Sequence, residues 1–275
     1  MSRLLKFCRV YKTNIIQHLY RRLFWDNDWD TLPFLQGLST SSNRKLKKAE
    51  RRIFTFWTGE NPMSENRKRS LFSLQKCANI PLVFVTPNNL SDFVLRDHPL
   101  PEEFKYLSNV HKSDYLRAYF MYYYGGGYCD IKPITKPWDQ SFDLLNANDN
   151  KSGIGYPELS NGVGYLQPDQ EFPLVKIYNL SYIMHCQYKQ LIGNCAYIFK
   201  PGSLIFEKLL EEQERRMRQL REQLIKYPGN VLGDNEGYPV RWTYLLGEIF
   251  HPLVFRLRND LLIDDSIRPT FSSYK

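Results

Sequence analysis

The sequence predicts an α/β fold, in which a sheet with at least some parallel strands is flanked by helices. Apolar runs typical of buried strands alternate with longer helical segments between residues 53 and 131. The chain has 275 residues and is 43% hydrophobic, which is enough for a sizeable core. No uncharged run reaches the roughly 18 apolar residues of a membrane span, so we expect no transmembrane passage.

The predicted elements of the body begin with a buried strand, Ile53-Phe54-Thr55-Phe56-Trp57, which Thr58 and Gly59 close. Seven further segments have strand or helix patterns: helix 64–78, strand 81–86, helix 112–124, strand 128–131, helix 172–188, strand 194–199 and helix 203–226. In the last helix, the i,i+4 pairs Glu211–Arg215, Glu212–Arg216 and Glu214–Arg218 favour a solvated face.

Residues 1–52 form a basic N-terminal segment and connector, and residues 53–275 form the predicted α/β body. The segment holds 12 Lys or Arg against 4 Asp or Glu, so the whole net charge of +8 lies there. Residues 3–24 predict an amphipathic basic helix, which would lie on an anionic membrane surface or dock on the protein itself. Residues 26–52 are typical of a connector.

The charge distribution and the cysteine pattern indicate which class of partner and which cellular compartment to expect. Because the body is neutral, the sequence does not favour a nucleic-acid partner. Five cysteines without a CxxC pair favour a reducing compartment over a disulfide scaffold. The basic N-terminus has no continuous apolar run, so we expect a cytoplasmic protein without a secretory signal, peripheral on the inner face of the cytoplasmic membrane.

The segment 111–133, HKSDYLRAYFMYYYGGGYCDIKP, carries the candidate chemistry. Asp114 and Arg117 are three residues apart on a helix that is apolar nearly all round, so they share one face. Buried charges are costly unless they are paired or used. The alternatives are a ligand-binding pair and a structural pair.

The three glycines 125–127 permit a sharp turn and allow a ligand to approach the backbone. The strand after them ends in Asp130-Ile131-Lys132, and alternation places Asp130 and Lys132 on one face. Ligands of open α/β sheets commonly bind at the ends of strands.

The stretch SDYLRAYFMYYYGGGYCDIK resembles the signature of glycosyltransferases with a sugar-binding region containing the DXD motif, and of the related capsular polysaccharide synthesis proteins. The resemblance extends over about 52–255 and implies a GT-A fold with a Rossmann-type nucleotide-sugar-binding sheet. It also implies donor-binding roles for Trp57, Asp114, Arg117, Gly126, Gly127, Asp130 and Asn194. Trp57 would lie against the base, and Asp114 and Arg117 would bind sugar hydroxyls.

Lys132 departs from that pattern, because the resemblance implies a second aspartate there that would bind Mn²⁺ or Mg²⁺. Three interpretations remain. Lys132 pairs with the diphosphate itself, which makes Asp130 and Lys132 the catalytic candidates. Alternatively, Asp130 holds a divalent cation with His251, Asp234 or Glu236, or donor binding is lost.

The sequence therefore predicts a glycosyltransferase, of the retaining type by resemblance. It would move a hexosyl group from a UDP- or GDP-sugar to a surface polysaccharide or lipopolysaccharide acceptor, a glycan or glycolipid. The alternative is a non-catalytic homologue that acts as a binding partner in a polysaccharide assembly complex.

Overall fold

The computed structural model describes residues 32–42, 44–167, 174–272 and 274, and within these residues six strands form one sheet. Their order in the sheet is β2-β1-β3-β5-β4-β6. The strands are β1 (Ile53–Phe56), β2 (Leu82–Val85), β3 (Gly126–Cys129), β4 (Gly153–Pro157), β5 (Ile192–Phe199) and β6 (Leu261–Ile263). Helices flank the sheet, so the predicted α/β class is confirmed.

Strand directions place several loops at one end of the sheet. β1 pairs in parallel with both β2 and β3, whereas β5 runs antiparallel between β3 and β4. The strands β1, β2 and β3 therefore finish at the same end, at Phe56, Val85 and Cys129, which we call the carboxyl end of the sheet. The amino end of β5 lies there too, because Asp130 donates its amide to the carbonyl of Cys195 at 2.8 Å.

Seven α-helices belong to the described ranges: α1 (Glu65–Cys77), α2 (Asn109–Tyr123), α3 (Asp139–Asn146), α4 (Leu174–Cys186), α5 (Leu204–Gln219), α6 (Arg221–Lys226) and α7 (Gly247–Arg256). The seven segments predicted after β1 are present, with the long helix 203–226 divided at Leu220. The pattern analysis missed α3, β4, α7 and β6. These elements are short, and β4 and α7 contain glycine or proline, which weaken a periodic signal.

Part of the predicted connector, residues 26–52, is packed into the folded core. Leu32, Phe34, Leu35 and Leu38 are buried in the main hydrophobic core, and the carbonyl of Leu38 accepts two hydrogen bonds from Arg256. Residues 32–38 therefore pack as part of the body, although the predicted boundary at residue 53 stays a prediction. The predicted amphipathic helix lies outside the described residues. Among the helices that the structure does describe, none has the length and apolarity to cross a bilayer.

Candidate functional site

Helix α2 brings two opposite charges to one buried face. The helix begins after Ser108, whose hydroxyl accepts a hydrogen bond from the amide of His111 at 3.2 Å. One turn on, Nη2 of Arg117 lies 3.1 Å from Oδ1 of Asp114, and the two side chains are 8% and 7% exposed. The predicted i,i+3 contact between Asp114 and Arg117 is therefore present, in a buried setting.

The chain that follows β3 adds a second pair of charges to the first. Oδ1 of Asp130 lies 3.5 Å from Nη2 of Arg117 and accepts a hydrogen bond from the Tyr128 hydroxyl at 2.6 Å. The ammonium of Lys132 contacts the other oxygen, Oδ2. Asp114, Arg117, Asp130 and Lys132 thus form a continuous chain of opposite charges at the carboxyl end of the sheet, which we call the charge cluster.

The charge cluster keeps Asp130 and Lys132 ionised despite their burial. Burial by itself raises the pKa of Asp130, but the positive charges of Lys132 and Arg117 outweigh it and hold that pKa well below its usual range. Burial likewise opposes the charge of Lys132, and the carboxylate of Asp130 outweighs it, so the pKa of Lys132 is raised. The two groups form a salt bridge at neutral pH.

Asp114 behaves differently from Asp130. Burial raises the pKa of Asp114 to about 6, with Arg117 opposing the shift and the nearby charge of Asp130 adding to it. One carboxyl of the cluster therefore titrates close to neutral pH while the other remains charged. Groups with such separated pKa values are typical of functional sites.

The guanidinium of Arg117 is held on several sides. Its Nη1 donates to the carbonyl of Asn194 at 2.8 Å, and its carbon lies 4.7 Å from the centre of the Tyr128 ring. Asn194 thus contacts the cluster through its main chain, whereas its side-chain oxygen lies 3.4 Å from the sulfur of Cys195. Donor binding by the Asn194 side chain stays a prediction.

The glycine turn has a packing reason. A Cβ at Gly125 would lie 2.6 Å from Pro201, and one at Gly126 would lie 2.9 Å from the carbonyl of Arg52. Both residues have positive φ values, of 61° and 90°. A Cβ at Gly127 would meet Ile53 at 2.9 Å. These glycines allow β3 to pack closely against its neighbours, and donor binding at Gly126 and Gly127 stays a prediction.

A cleft of about 420 Å³ opens at the carboxyl end of the sheet, where β1 and β2 end. Its lining comes from the ends of these strands, the loops after them and one face of α2: Thr58, Gly59, Glu60, Val85, Thr86, Pro87, Leu90, Phe104, Asn109, Lys112 and Leu116. We call it the β1–β2 cleft. Trp57 lies at the same strand end, half-buried, with its indole N–H donated to the carbonyl of Asn61 at 2.8 Å.

Helix α2 contributes to both the cleft and the charge cluster. Asn109, Lys112 and Leu116 line the cleft, and at 100° per residue they lie on a different face of the helix from Asp114 and Arg117. Burial lowers the pKa of Lys112. Sequence reasoning missed Lys112, although its position two residues before Asp114 in HKSD was the available signal.

The structure does not bring His251, Asp234 or Glu236 to Asp130 as a set of metal ligands. His251 is buried in α7, where its Nδ1 accepts the amide of Gly164 at 2.9 Å and its Nε2 lies 3.2 Å from Glu158. Asp234 and Glu236 are exposed. In the described part of the chain, no group of three or more His, Cys, Asp or Glu residues is arranged to hold a metal ion. Binding of a divalent cation by Asp130 together with one of these three residues stays a prediction.

A family model matches the part of the chain that contains the charge cluster. Residues 31–132 match a family model described as "Capsular polysaccharide synthesis protein". The resemblance predicted from the motif is confirmed there. The match covers less than half of the chain and ends at Lys132, so it contains all four members of the charge cluster.

Other comparisons are less informative. A solved structure titled "PaToxG Glycosyltransferase" matches with a TM-score of 0.35 and 14% sequence identity, over 78% of this chain and 76% of that chain. A likeness at this level supports no inference about activity. No curated protein sequence matches the chain.

Proposed function

We propose that this protein is a glycosyltransferase of GT-A type that moves a hexosyl group from a UDP- or GDP-sugar to a glycan or glycolipid acceptor of a surface polysaccharide. The charge cluster carries the proposal, because it lies at the carboxyl end of the sheet and inside the segment that matches the capsular polysaccharide synthesis model. Open α/β sheets bind ligands at this end.

The β1–β2 cleft and the charge cluster together suit the two halves of a nucleotide-sugar. The cleft is concave and partly apolar, with Trp57 at the same strand end, which favours a base and ribose there. In the charge cluster, Asp114 and Asp130 offer hydrogen-bond acceptors and Arg117 offers donors, which are the groups that recognise sugar hydroxyls.

The reaction breaks the bond between the anomeric carbon and the phosphate oxygen, and the departing diphosphate keeps the electron pair. The acceptor hydroxyl oxygen bonds to that carbon on the face from which the diphosphate departs, and its proton passes to the departing diphosphate, so we expect retention of anomeric configuration. A cation must meet the negative charge that develops on the diphosphate. Lys132 and Arg117 both contact Asp130 in the charge cluster, and we assign the role to Lys132, which stands at the position of the second aspartate in the motif that the chain resembles.

The donor atoms around Asp130 do not fit a divalent cation in this arrangement. One carboxylate oxygen contacts the ammonium of Lys132, and the other accepts the hydroxyl of Tyr128 at 2.6 Å. Manganese and magnesium bind through several oxygen ligands, and a lysine in contact with the carboxylate opposes them by charge. The proposed reaction therefore proceeds without a metal-dependent step, and removing divalent cations tests it.

The N-terminal segment supplies the proposed link to the acceptor. Residues 1–24 combine positive charge with an amphipathic pattern, so we propose that they bind the anionic inner face of the cytoplasmic membrane. A truncation that starts at residue 31 keeps the core residues Leu32, Phe34, Leu35 and Leu38. It should stay folded and lose sedimentation with anionic vesicles.

The test of the donor site begins with a thermal-shift screen of UDP- and GDP-sugars, followed by donor hydrolysis assays. The double variant Asp114→Asn/Arg117→Gln should lose about tenfold or more in donor affinity per folded molecule. Its matched control is Glu65→Gln/Lys68→Gln, an exposed i,i+3 pair on α1 that should bind like the wild type. Equal affinities in all three proteins would contradict the proposal.

One observation favours the non-catalytic alternative. The four charges of the cluster pair with one another, which is also the arrangement of a self-sufficient structural network. Under that alternative the protein assists a polysaccharide assembly complex. It would neither bind nor hydrolyse any nucleotide-sugar in the screen, with or without manganese.

A further inference from the structure

Residues 268–272 run across the Lys132 end of the charge cluster. Thr270 donates its amide to the carbonyl of Pro133 at 2.7 Å, and Nη2 of Arg268 donates to the carbonyl of Pro157 at 3.3 Å. Residues 268–272 and 274 therefore lie over the segment that follows β3 and the end of β4. We call these residues the C-terminal strap.

Two rings of the C-terminal strap face the ammonium of Lys132. The ammonium lies 4.9 Å from the centre of the Tyr274 ring and 5.7 Å from that of Phe271. The guanidinium of Arg67 lies 4.8 Å from the same Tyr274 ring, and its Nη1 donates to the carbonyl of Ile131 at 2.7 Å. The strap is thus held over Lys132 by cation–ring contacts on two elements.

These contacts leave the ammonium little room for a new anion. An ammonium has three N–H donors. Those of Lys132 are surrounded by Asp130, by the sulfur of Cys195 at 3.4 Å and by the two rings, and its side chain is only 7% exposed. A phosphate oxygen therefore meets the strap before it meets Lys132.

We propose that the C-terminal strap is a gate over Lys132, which must move aside before the diphosphate of the donor contacts the ammonium. The proposal rests on the diphosphate role of Lys132 given above. A charge-assisted hydrogen bond to phosphate is stronger than a cation–ring contact, so the diphosphate can displace Phe271 and Tyr274 from the ammonium. The strap then contributes to donor selection, because an anion that holds Lys132 weakly leaves the gate closed.

The first experiment measures how strongly the C-terminal strap shields Lys132 when no donor is present. The full chain is reductively methylated with formaldehyde, and modification of Lys132 is followed by peptide mass spectrometry. Phe271→Ala/Tyr274→Ala should raise the rate at Lys132 about tenfold. The control is Phe72→Ala, which removes an exposed ring 5.6 Å from the ammonium of Lys76 and should leave Lys132 unchanged.

A second variant distinguishes loss of shielding at Lys132 from loss of folding. Phe271→Leu/Tyr274→Leu keeps apolar side chains in the strap but removes both ring faces. Its Lys132 should be methylated at a rate between those of the wild type and the alanine variant, with a melting temperature close to that of the wild type. Equal methylation of Lys132 in all variants would overturn the proposal, because the strap would then not be what shields the ammonium.

The second experiment uses inorganic pyrophosphate and hydrogen exchange of the Thr270 amide, whose hydrogen bond holds the closed strap. Pyrophosphate should bind the wild type, accelerate exchange at Thr270 and bind the alanine variant several-fold more tightly. Binding with unchanged exchange at Thr270, or with equal affinity for both proteins, would overturn the gate. Binding to neither protein would instead overturn the diphosphate role of Lys132, and with it the gate.

Discussion

Two buried groups of charges in this protein have similar sequence signals and different surroundings. Asp114 and Arg117 are three residues apart on α2, and Glu212 and Arg216 are four apart on α5. In both pairs each side chain is less than a tenth exposed. The spacing therefore does not separate a candidate site from a structural pair.

The pair on α5 belongs to a network that joins helices. Nη1 of Arg216 donates to the carbonyl of Tyr244 at 2.6 Å and lies 3.8 Å from Glu248 of α7. Its guanidinium also lies 5.8 Å from the Phe34 ring. We call Glu212, Arg216 and Glu248 the α5 network. It clamps α5, α7 and residues 32–38 together, and none of its three residues lines the β1–β2 cleft.

The charge cluster differs in where it lies. Asp130 follows the end of a central strand, and at 18% its side chain is more exposed than the members of the α5 network. The α5 network stabilises helix packing, whereas the charge cluster holds its charges at the end of the sheet where ligands bind. Position relative to the strand ends, rather than pairing, distinguishes a candidate site.

The largest effect is expected on the stability of the α5 network. Arg216→Met leaves Glu212 and Glu248 buried with only Arg215 and Arg241 as their cationic partners, so the free energy of unfolding should fall by about 3 kcal/mol, the low end for a broken buried pair. Urea denaturation measures the loss, and pyrophosphate affinity of the folded protein should be unchanged. A fall in pyrophosphate affinity without a fall in the free energy of unfolding would contradict the structural role of the α5 network.

A large effect on activity is expected at Lys132. Lys132→Ala should lower kcat for donor hydrolysis by about 10²–10³-fold, with or without manganese, because the departing diphosphate loses its cation. The wild type should remain active in EDTA. The control is Lys68→Ala, which breaks an exposed pair with Glu65 and should keep full activity.

Replacing Lys132 with aspartate tests the role of this position in a second way. Lys132→Asp should regain part of the activity only when manganese is added, because oxygen ligands suit that ion. If the wild type were inactive in EDTA and fully restored by manganese, Lys132 would not be the cation, and another ligand set would have to exist.

The pH dependence of stability should single out Asp114. Its pKa rises from an ordinary 3.8 to about 6 on folding, so the fold favours the protonated form, and the stability this contributes is lost as pH rises through 6. Asp114→Asn mimics that form. Between pH 4 and pH 7 its stability relative to the wild type should grow by roughly 2–3 kcal/mol in urea denaturation.

The comparison between variant and wild type is needed because His111 acts in the opposite direction. Burial lowers the pKa of His111 to about 4, so its contribution to stability is lost as pH falls below 6.5, and it is equal in both proteins. A constant stability difference between Asp114→Asn and the wild type from pH 4 to pH 7 would show that Asp114 has an ordinary pKa.

The smallest effect is expected at the exposed pair Glu214–Arg218, whose side chains are 32% and 60% exposed at 3.5 Å. Arg218→Met should change the free energy of unfolding by less than about 0.5 kcal/mol, because water and salt screen such pairs. A loss comparable with that of Arg216→Met would show that burial does not rank the pairs of α5.

Local pattern by itself predicted the α/β class, strands at 53–57 and 194–199, a helix at 112–124, and the shared face of Asp114 and Arg117. The structure has these elements at Ile53–Phe56, Ile192–Phe199 and Asn109–Tyr123, with the two side chains in contact. These features depend on hydrophobic periodicity and on the spacing of residues along one helix. Both are properties of a short stretch of sequence. The same reasoning placed Asp130 and Lys132 on one face of the chain, and the two side chains are in contact.

Tertiary structure alone decided which faces meet. The i,i+4 pattern of α5 predicts a solvated face, yet Glu212 and Arg216 are buried because α7 and the segment at Phe34 cover them. The C-terminal strap reaches Lys132 from more than a hundred residues away. Such contacts depend on how elements distant in sequence pack together, and local periodicity carries no information about the partner of a face.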